Sequence, residues 1–201
     1  MGTRTGRPRG FDRDAALERA MLLFWERGYD TVSVRDLTDA MEITPPSLYA
    51  AFTDKQTLFE EAVDTYAQRY GGYIREAFET QPTAYRAVRG LLTGAAVQQT
   101  LPGRPSGCLI LNGATNHTVA SAQVAAGLRA RRAETEALIE GKIRADIDVG
   151  ELPPETDAPA LTAFATTVWQ GLSQLARDGH GRRDLEGAVA VALAAWPGAR
   201  Q

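Results

Sequence analysis

The sequence contains one cysteine, Cys108, two histidines and two lysines in 201 residues. A single cysteine excludes an internal disulfide framework and suits a reducing compartment. His117 and His180 are too few and too separated for a recognisable metal motif, and there is no glycine-rich phosphate loop. On one continuous helix Cys108 and His117 would stand about 13 Å apart along the axis, so they make no local nucleophile and base pair. No apolar run approaches the ~20 residues that a membrane helix needs, and no secretory hydrophobic segment is found. These absences argue against an enzyme, a cofactor or metal protein and a membrane protein, and place the chain in the cytoplasm.

What is present is an ordinary globular balance: 44% hydrophobic, 23% charged, net charge −3, with length for one large or two small domains with real cores. The charge is unevenly spread. Residues 1–10 carry Arg4, Arg7 and Arg9 without an acid, and this glycine-rich stretch reads either as a solvated tail or as a basic arm for a minor groove. Residues 11–55 hold five basic side chains against nine acidic ones. Nucleic-acid binding would therefore rest on a few placed cations.

The most informative stretch is 33–55. Ser33 with Asp36 three residues on is a capping-box start, and Val34, Leu37 and Met41 then share a face. Thr44 is a second cap, and Pro45 and Pro46 occupy first-turn positions where a missing amide hydrogen costs nothing. The helix that follows, about 45–51, is too short to stand alone. A short, rigidly started helix held across another is the physical description of a helix-turn-helix reader.

Helical spacing recurs on both sides. Leu17, Ala20, Met21 and Phe24 mark a scaffold helix stopped by Gly28. Asp54 caps a long helix with the stripe Phe59, Ala62, Tyr66, Tyr70, Tyr73 and Ala77. Lys55 sits in its first turn, unfavourable for the helix dipole unless an anion arrives, with phosphate the natural candidate. Gly71 and Gly72 interrupt that helix, either for close packing or to bend it. Pro82 opens a helix with Tyr85, Val88, Leu92 and Ala95, and 100–107 is a loop by composition. In the apolar stretch 108–119, Cys108, Asn112 and Asn116 recur every four residues, a polar line satisfied by backbone and water or by a ligand. A long helix over 121–149 carries Val124, Leu128, Leu138, Ile143 and Ile147, with Arg129, Arg131 and Arg132 on a solvated face. Two final helices, over 156–178 and 183–195, carry the stripes Leu161, Phe164, Val168, Leu172, Leu175 and Leu185, Val189, Ala192, Trp196.

By the run from Thr31 through Lys55, with its I-T-P-P-S-L-Y core, Phe52 and the helix-heading lysine, the chain resembles the TetR family of bacterial transcriptional regulators. It departs at two positions: Glu42 stands where a glycine usually makes the turn, and Ala51 where a histidine commonly supplies a backbone contact. The resemblance implies an all-α fold with a flexible arm (1–10), a helix-turn-helix domain (11–53) and a ligand-binding and dimerisation domain (54–201). It implies a homodimer, built by the two final helices, that binds a palindromic double-stranded operator. Thr44, Pro45, Pro46 and Ser47 would face base edges, Arg35 a guanine or phosphate, and Tyr49 and Lys55 the backbone. A small, uncharged or weakly polar ligand would sit among Tyr66, Tyr70, Tyr73, Phe78, Tyr85 and Leu111, oriented by Cys108, Asn112 and Asn116, with Trp169 closing one end; its entry would release the operator. Cys108 reads as packing rather than a redox switch. The competing reading is a ligand- or partner-binding protein of the same fold without operator recognition, favoured by the acidic balance and by Ala51.

Overall fold

The computed structural model describes residues 11–197; the arm at 1–10 and residues 198–201 lie outside the described residues. Helices α1 (Arg13–Arg27), α2 (Val34–Met41) and α3 (Pro45–Phe52) pack with the first half of α4 (Lys55–Tyr70) into a head. Each start has a local cause. Asp12 accepts from the amides of Asp14 and Ala15, both at 3.1 Å. In the Ser33 and Asp36 capping box, the amide of Ser33 donates to Asp36 at 2.8 Å and that of Asp36 to Ser33 Oγ at 3.1 Å. Thr44 Oγ1 accepts from the amide of Ser47 at 3.4 Å, and Asp54 from that of Thr57 at 2.7 Å. Caps of this kind contribute about 1 kcal/mol each. Met21, Phe24, Leu37, Met41, Leu48, Phe52 and Leu58 are buried together, and Phe24 meets Phe59 edge-on at 5.0 Å. That core holds the two-turn α3, which could not persist alone.

Two turns in the head use a left-handed backbone without glycine. Glu42, after α2, sits at φ 56° and ψ 42°. Its carboxylate lies 3.3 Å from Arg19 Nη1, and the same guanidinium donates to the carbonyl of Met41 at 3.3 Å. The turn that a glycine would make is therefore kept, at a backbone cost of roughly 1–2 kcal/mol. Thr53, at φ 65° and ψ −59°, forms a γ-turn in which the amide of Asp54 donates to the carbonyl of Phe52 at 2.7 Å. This tight elbow swings the chain from α3 directly into α4.

The body contains α5 (Gly72–Thr80), α6 (Ala84–Gln98), α7 (Leu109–Asn112), a 3-10 turn (Val119–Ser121), α8 (Ala122–Asp148), α9 (Ala158–Arg177) and α10 (Arg182–Ala194). Leu91, Leu92, Ile139, Ile143, Trp169, Leu172 and Leu185 form its centre. The buried Asp146 carboxylate of α8 accepts from the amide of Ala84 at 2.7 Å, capping α6 from across the bundle.

Four sequence expectations change here. The helix expected to run past Gly71 ends there: a Cβ at Gly71 would come within 2.5 Å of the Ala67 carbonyl oxygen, and the chain restarts as α5. The glycine pair thus marks a break. The stretch 108–119 is helical only over Leu109–Asn112, so Cys108, Asn112 and Asn116 share no helical line. Arg131 and Arg132 do not sit on a free solvated face, since Arg131 pairs with Asp64 of α4 and Arg132 Nη1 donates to the carbonyl of Ile110 at 2.9 Å. On α8 the buried side chain is Ile139, while its neighbour Leu138 is turned outward.

Candidate nucleic-acid interface and ligand cavity

The outer face of the head is built by α2 and α3. Leu48 and Phe52 turn inward, which leaves Thr44, Pro45, Pro46, Tyr49 and Ala50 exposed and Ser47 half-buried. Arg35 stands on the exposed side of α2, in a loose pair with Asp39 at 3.8 Å. Lys55, the first residue of α4, is half-buried with its Nζ 4.1 Å from the centroid of the Tyr29 ring. Burial pushes its pKa down, opposed by the charges of Asp30 and Asp36. The acids that make the head negative are mostly engaged: Asp12, Asp36 and Asp54 in caps, Glu42 with Arg19, Glu61 of α4 with Arg13 at 2.7 Å, and Glu18 with Arg69 at 3.0 Å. A net acidic head is therefore compatible with a face that meets phosphate.

The head is joined to the body at defined points. The amide of Tyr29 donates to the carbonyl of Gly113 at 2.8 Å, and a Cβ at the neighbouring Gly28 (φ +81°) would lie 3.2 Å from that same oxygen. Asp30 accepts from the amide of Thr118 at 2.8 Å and from Ser121 Oγ at 2.7 Å, just before α8 begins. The indole of Trp25 donates to the carbonyl of Gly107 at 3.1 Å. Asp64 reaches across to Arg131.

Beside these joints lies a cavity of about 330 Å³ at the break between α4 and α5, walled by α7, α8 and α9. Of the side chains expected around a ligand, it gathers Tyr66, Tyr70, Tyr73, Phe78, Cys108 and Trp169. Its other walls include Ile74, Ile110, Thr135 and Leu138, with Arg75, Glu79, Arg131 and Glu134 as charged members of balanced sign. The sequence pattern gave no signal for Ile110 or for the α8 residues, because their approach depends on how α7 and α8 cross. Trp169 Nε1 donates to Tyr73 Oη at 3.4 Å. Burial pushes the phenols of Tyr73 and Tyr66 well above their ordinary range, with the adjacent Cys108 adding to both. Burial likewise pushes the Cys108 thiol up, so it stays protonated and poorly nucleophilic.

Four of the expected ligand residues lie elsewhere. Tyr85 faces an outer groove between α5 and α6, with its ring 6.4 Å from that of Trp196. Leu111 of α7 packs into the core rather than the cavity. Asn112 Nδ2 donates to Ser173 Oγ at 2.7 Å, and the amide of Cys108 donates to the same oxygen at 2.9 Å, so Asn112 helps pin α7 to α9. Asn116 is exposed in the loop after α7.

The final two helices divide their stripes. Leu172, Leu185, Val189, Ala192 and Trp196 are buried inside the chain itself and are core. Leu161, Phe164, Val168, Gly171 and Leu175 instead form an outward seam along α9 at alternating spacings of three and four, with Phe164 37% exposed, and Val191 of α10 stands 75% exposed.

A capped, rigidly held two-helix reader joined to a helical body with a half-open, mostly apolar cavity defines a regulator of the helix-turn-helix class. The comparisons are specific. "Bacterial regulatory proteins, tetR family" matches residues 16–62, and "Tetracyclin repressor-like, C-terminal domain" matches residues 84–191. The HTH-type transcriptional repressor ComR of Escherichia coli K12 is 34% identical over 193 residues, covering 96% of this chain and 92% of ComR. BdcR, an HTH-type transcriptional repressor of the same organism, is 32% identical over 187 residues, covering 93% and 90%. A cysteine mutant of the TetR family regulator CifR, solved with 26-base-pair operator DNA, superimposes with a TM-score of 0.88 at 43% identity, covering 96% of this chain and all of that one. The chain belongs to the TetR family of transcriptional regulators.

Proposed function

We propose that the protein is a homodimeric repressor that holds a palindromic operator through α2 and α3 and releases it when a small, uncharged or weakly polar molecule fills the cavity. The observation that carries this reading is the span of α4. One rigid helix presents Lys55 beside α3 at its start and Tyr66 and Tyr70 to the cavity at its end. A ligand that wedges the α4–α5 break away from α8 strains the Asp64–Arg131 tie and tilts the head; in a dimer this changes the separation of the two readers, so both half-sites can no longer be met at once. The relatives support the assignment, since ComR and BdcR are named repressors and CifR was solved on operator DNA.

The outward seam of α9 supports the dimer. Its three-four spacing is that of helices that pack side by side, and in a single chain Leu161, Val168 and Leu175 are only partly covered while Phe164 is 37% exposed. Balanced charges around an otherwise apolar cavity favour an uncharged guest over a phosphorylated metabolite. Site of action and partner follow from the DNA: the cytoplasm, with no catalytic step required.

The test is selection of bound DNA from a random pool by the full chain, followed by salt titration. The expected result is a palindrome with half-sites about 34 Å apart or somewhat more, bound with a steep salt dependence. Failure to enrich any sequence, with binding indifferent to salt, would leave a ligand- or partner-binding protein of the same fold.

A further inference from the structure

The reading helix is chemically unusual for something that meets base edges. From Thr44 to Thr53 the sequence is TPPSLYAAFT, without a guanidinium, ammonium, imidazole, carboxylate or side-chain amide. Its small hydroxyls are few: Thr53 lies past the helix end, and Thr44 Oγ1 and Ser47 Oγ are hydrogen-bonded to each other at 2.9 Å, with Thr44 Oγ1 also accepting from the amide of Ser47 at 3.4 Å, which leaves that pair a single free O–H donor. Leu48 and Phe52 are buried. The surface that α3 offers a groove is thus mainly two pyrrolidine rings and the Ala50 methyl, beside that hydroxyl pair and the phenol of Tyr49, which is 50% exposed.

Such a surface discriminates bases in one direction only. In the major groove guanine, adenine and cytosine present hydrogen-bonding atoms, while thymine also presents a C5-methyl group. A polar edge pressed against proline loses water and gains no partner, which is costly. A methyl pressed against proline or alanine gains by burial. Given the operator-binding reading above, on which this rests, we infer that α3 recognises thymine C5-methyl groups through Pro45, Pro46 and Ala50, and that charged base readout by the described residues falls to Arg35. Pro46 and Ala50 are four residues apart on one helix face, about 6 Å, which sets them against neighbouring base pairs rather than the same one. Arg35, its side chain 90% exposed and only loosely paired with Asp39 at 3.8 Å, is free to turn to a guanine.

The test uses the full-length protein and its selected operator, with each thymine replaced singly by deoxyuridine, which removes the methyl group and keeps the pairing. One or two thymines in each half-site should each cost about fourfold in affinity, while deoxyuridine outside the half-sites should cost nothing. Pro46→Ala should bind the thymine operator more weakly and lose much of the deoxyuridine penalty at one position. Should that variant fold poorly, the deoxyuridine series on the unaltered protein decides alone. A tightly bound operator in which every thymine tolerates deoxyuridine would overturn the inference and leave the regulator reading intact; the absence of any selected operator would overturn both.

Discussion

Lys55 lies over the face of Tyr29, its Nζ 4.1 Å from the ring centroid, while the amide of the same tyrosine donates to the carbonyl of Gly113 at 2.8 Å. One residue therefore touches both a candidate phosphate contact and the turn that follows α7, whose leading residue Cys108 lines the cavity. The ring fixes the ammonium at the start of α4, where the helix dipole alone would repel it. Lys55→Ala should weaken binding to all DNA sequences by a similar factor and lower the salt slope by about one for each protomer. Lys55→Arg should retain most of the affinity. Unchanged affinity and slope in the alanine variant would remove Lys55 from the interface.

Asp30 provides a second joint, and its behaviour with pH can be worked out. Its slight burial would raise the carboxyl pKa, but hydrogen bonds from Ser121 and Thr118, with the charge of Lys55, leave it below the usual 3.8. A carboxyl whose folded pKa is depressed adds stability that is fully present above the unfolded value and is lost as pH falls through the folded one. The unaltered protein should therefore exceed Asp30→Ala by less than about 1 kcal/mol at pH 5–7, because the carboxylate is largely exposed and solvent screens it, with the gap closing below pH 3.8. Denaturant titrations at a series of pH values would show it. A gap that persists into strong acid would mean the loss is one of packing.

The head was legible in the sequence because its signals are local. Ser33 with Asp36, Thr44 with Pro45 and Pro46, and Asp54 each fix a helix start within four residues, and the structure has helices at those places. The cavity was legible where its wall is one helix stripe, as with Tyr66 and Tyr70 of α4; Tyr73 joins them from α5, across the break that the stripe did not show. Asn112 and Asn116 misled because a four-residue period was extended through Gly113, where the helix stops. The final helices misled for a related reason. Periodicity finds apolar faces without saying which neighbour covers them, and Leu185 and Val189 turn out to be covered by their own chain.

Glu42 tests how far the head tolerates a missing glycine. Replacing it by glycine removes a left-handed strain of roughly 1–2 kcal/mol, against the added flexibility of the unfolded chain and the loss of an exposed pair with Arg19. The net expectation for Glu42→Gly is a gain of up to about 1 kcal/mol, seen as a higher melting temperature, with operator affinity within about twofold. A clear loss of stability would show that the Arg19 contacts, rather than the turn, govern this corner.

The two apolar classes on α9 and α10 predict opposite outcomes for the same kind of substitution. Phe164→Asp acts on the outward seam and should give folded monomers by sedimentation, with operator affinity reduced more than about a hundredfold because two linked half-sites are no longer engaged together. Val189→Asp buries an unpaired carboxylate at a position 4% exposed and should unfold the body instead. A fully folded Phe164→Asp dimer would place the interface elsewhere.

Gly94 and Tyr73 give the most direct handle on the cavity. A Cβ at Gly94 would lie 2.5 Å from Tyr73 Cδ2 and 2.9 Å from its Cβ and Cγ, so α5 and α6 approach each other only because Gly94 has no side chain. The base of the tyrosine, not its mobile end, stands in the way, and the clash must move α5 or drive the ring into the cavity. Gly94→Ala should therefore lower stability by about 1–3 kcal/mol, the usual range for overpacking, and change or abolish ligand-induced release, while affinity for the operator without ligand stays within about twofold. Adding Tyr73→Leu should recover much of the lost stability without restoring the original ligand response, since the phenol that accepts from Trp169 is then gone. If Gly94→Ala melts like the unaltered protein and releases DNA at the same ligand concentration, then α5 is loosely held and Tyr73 does not shape the site.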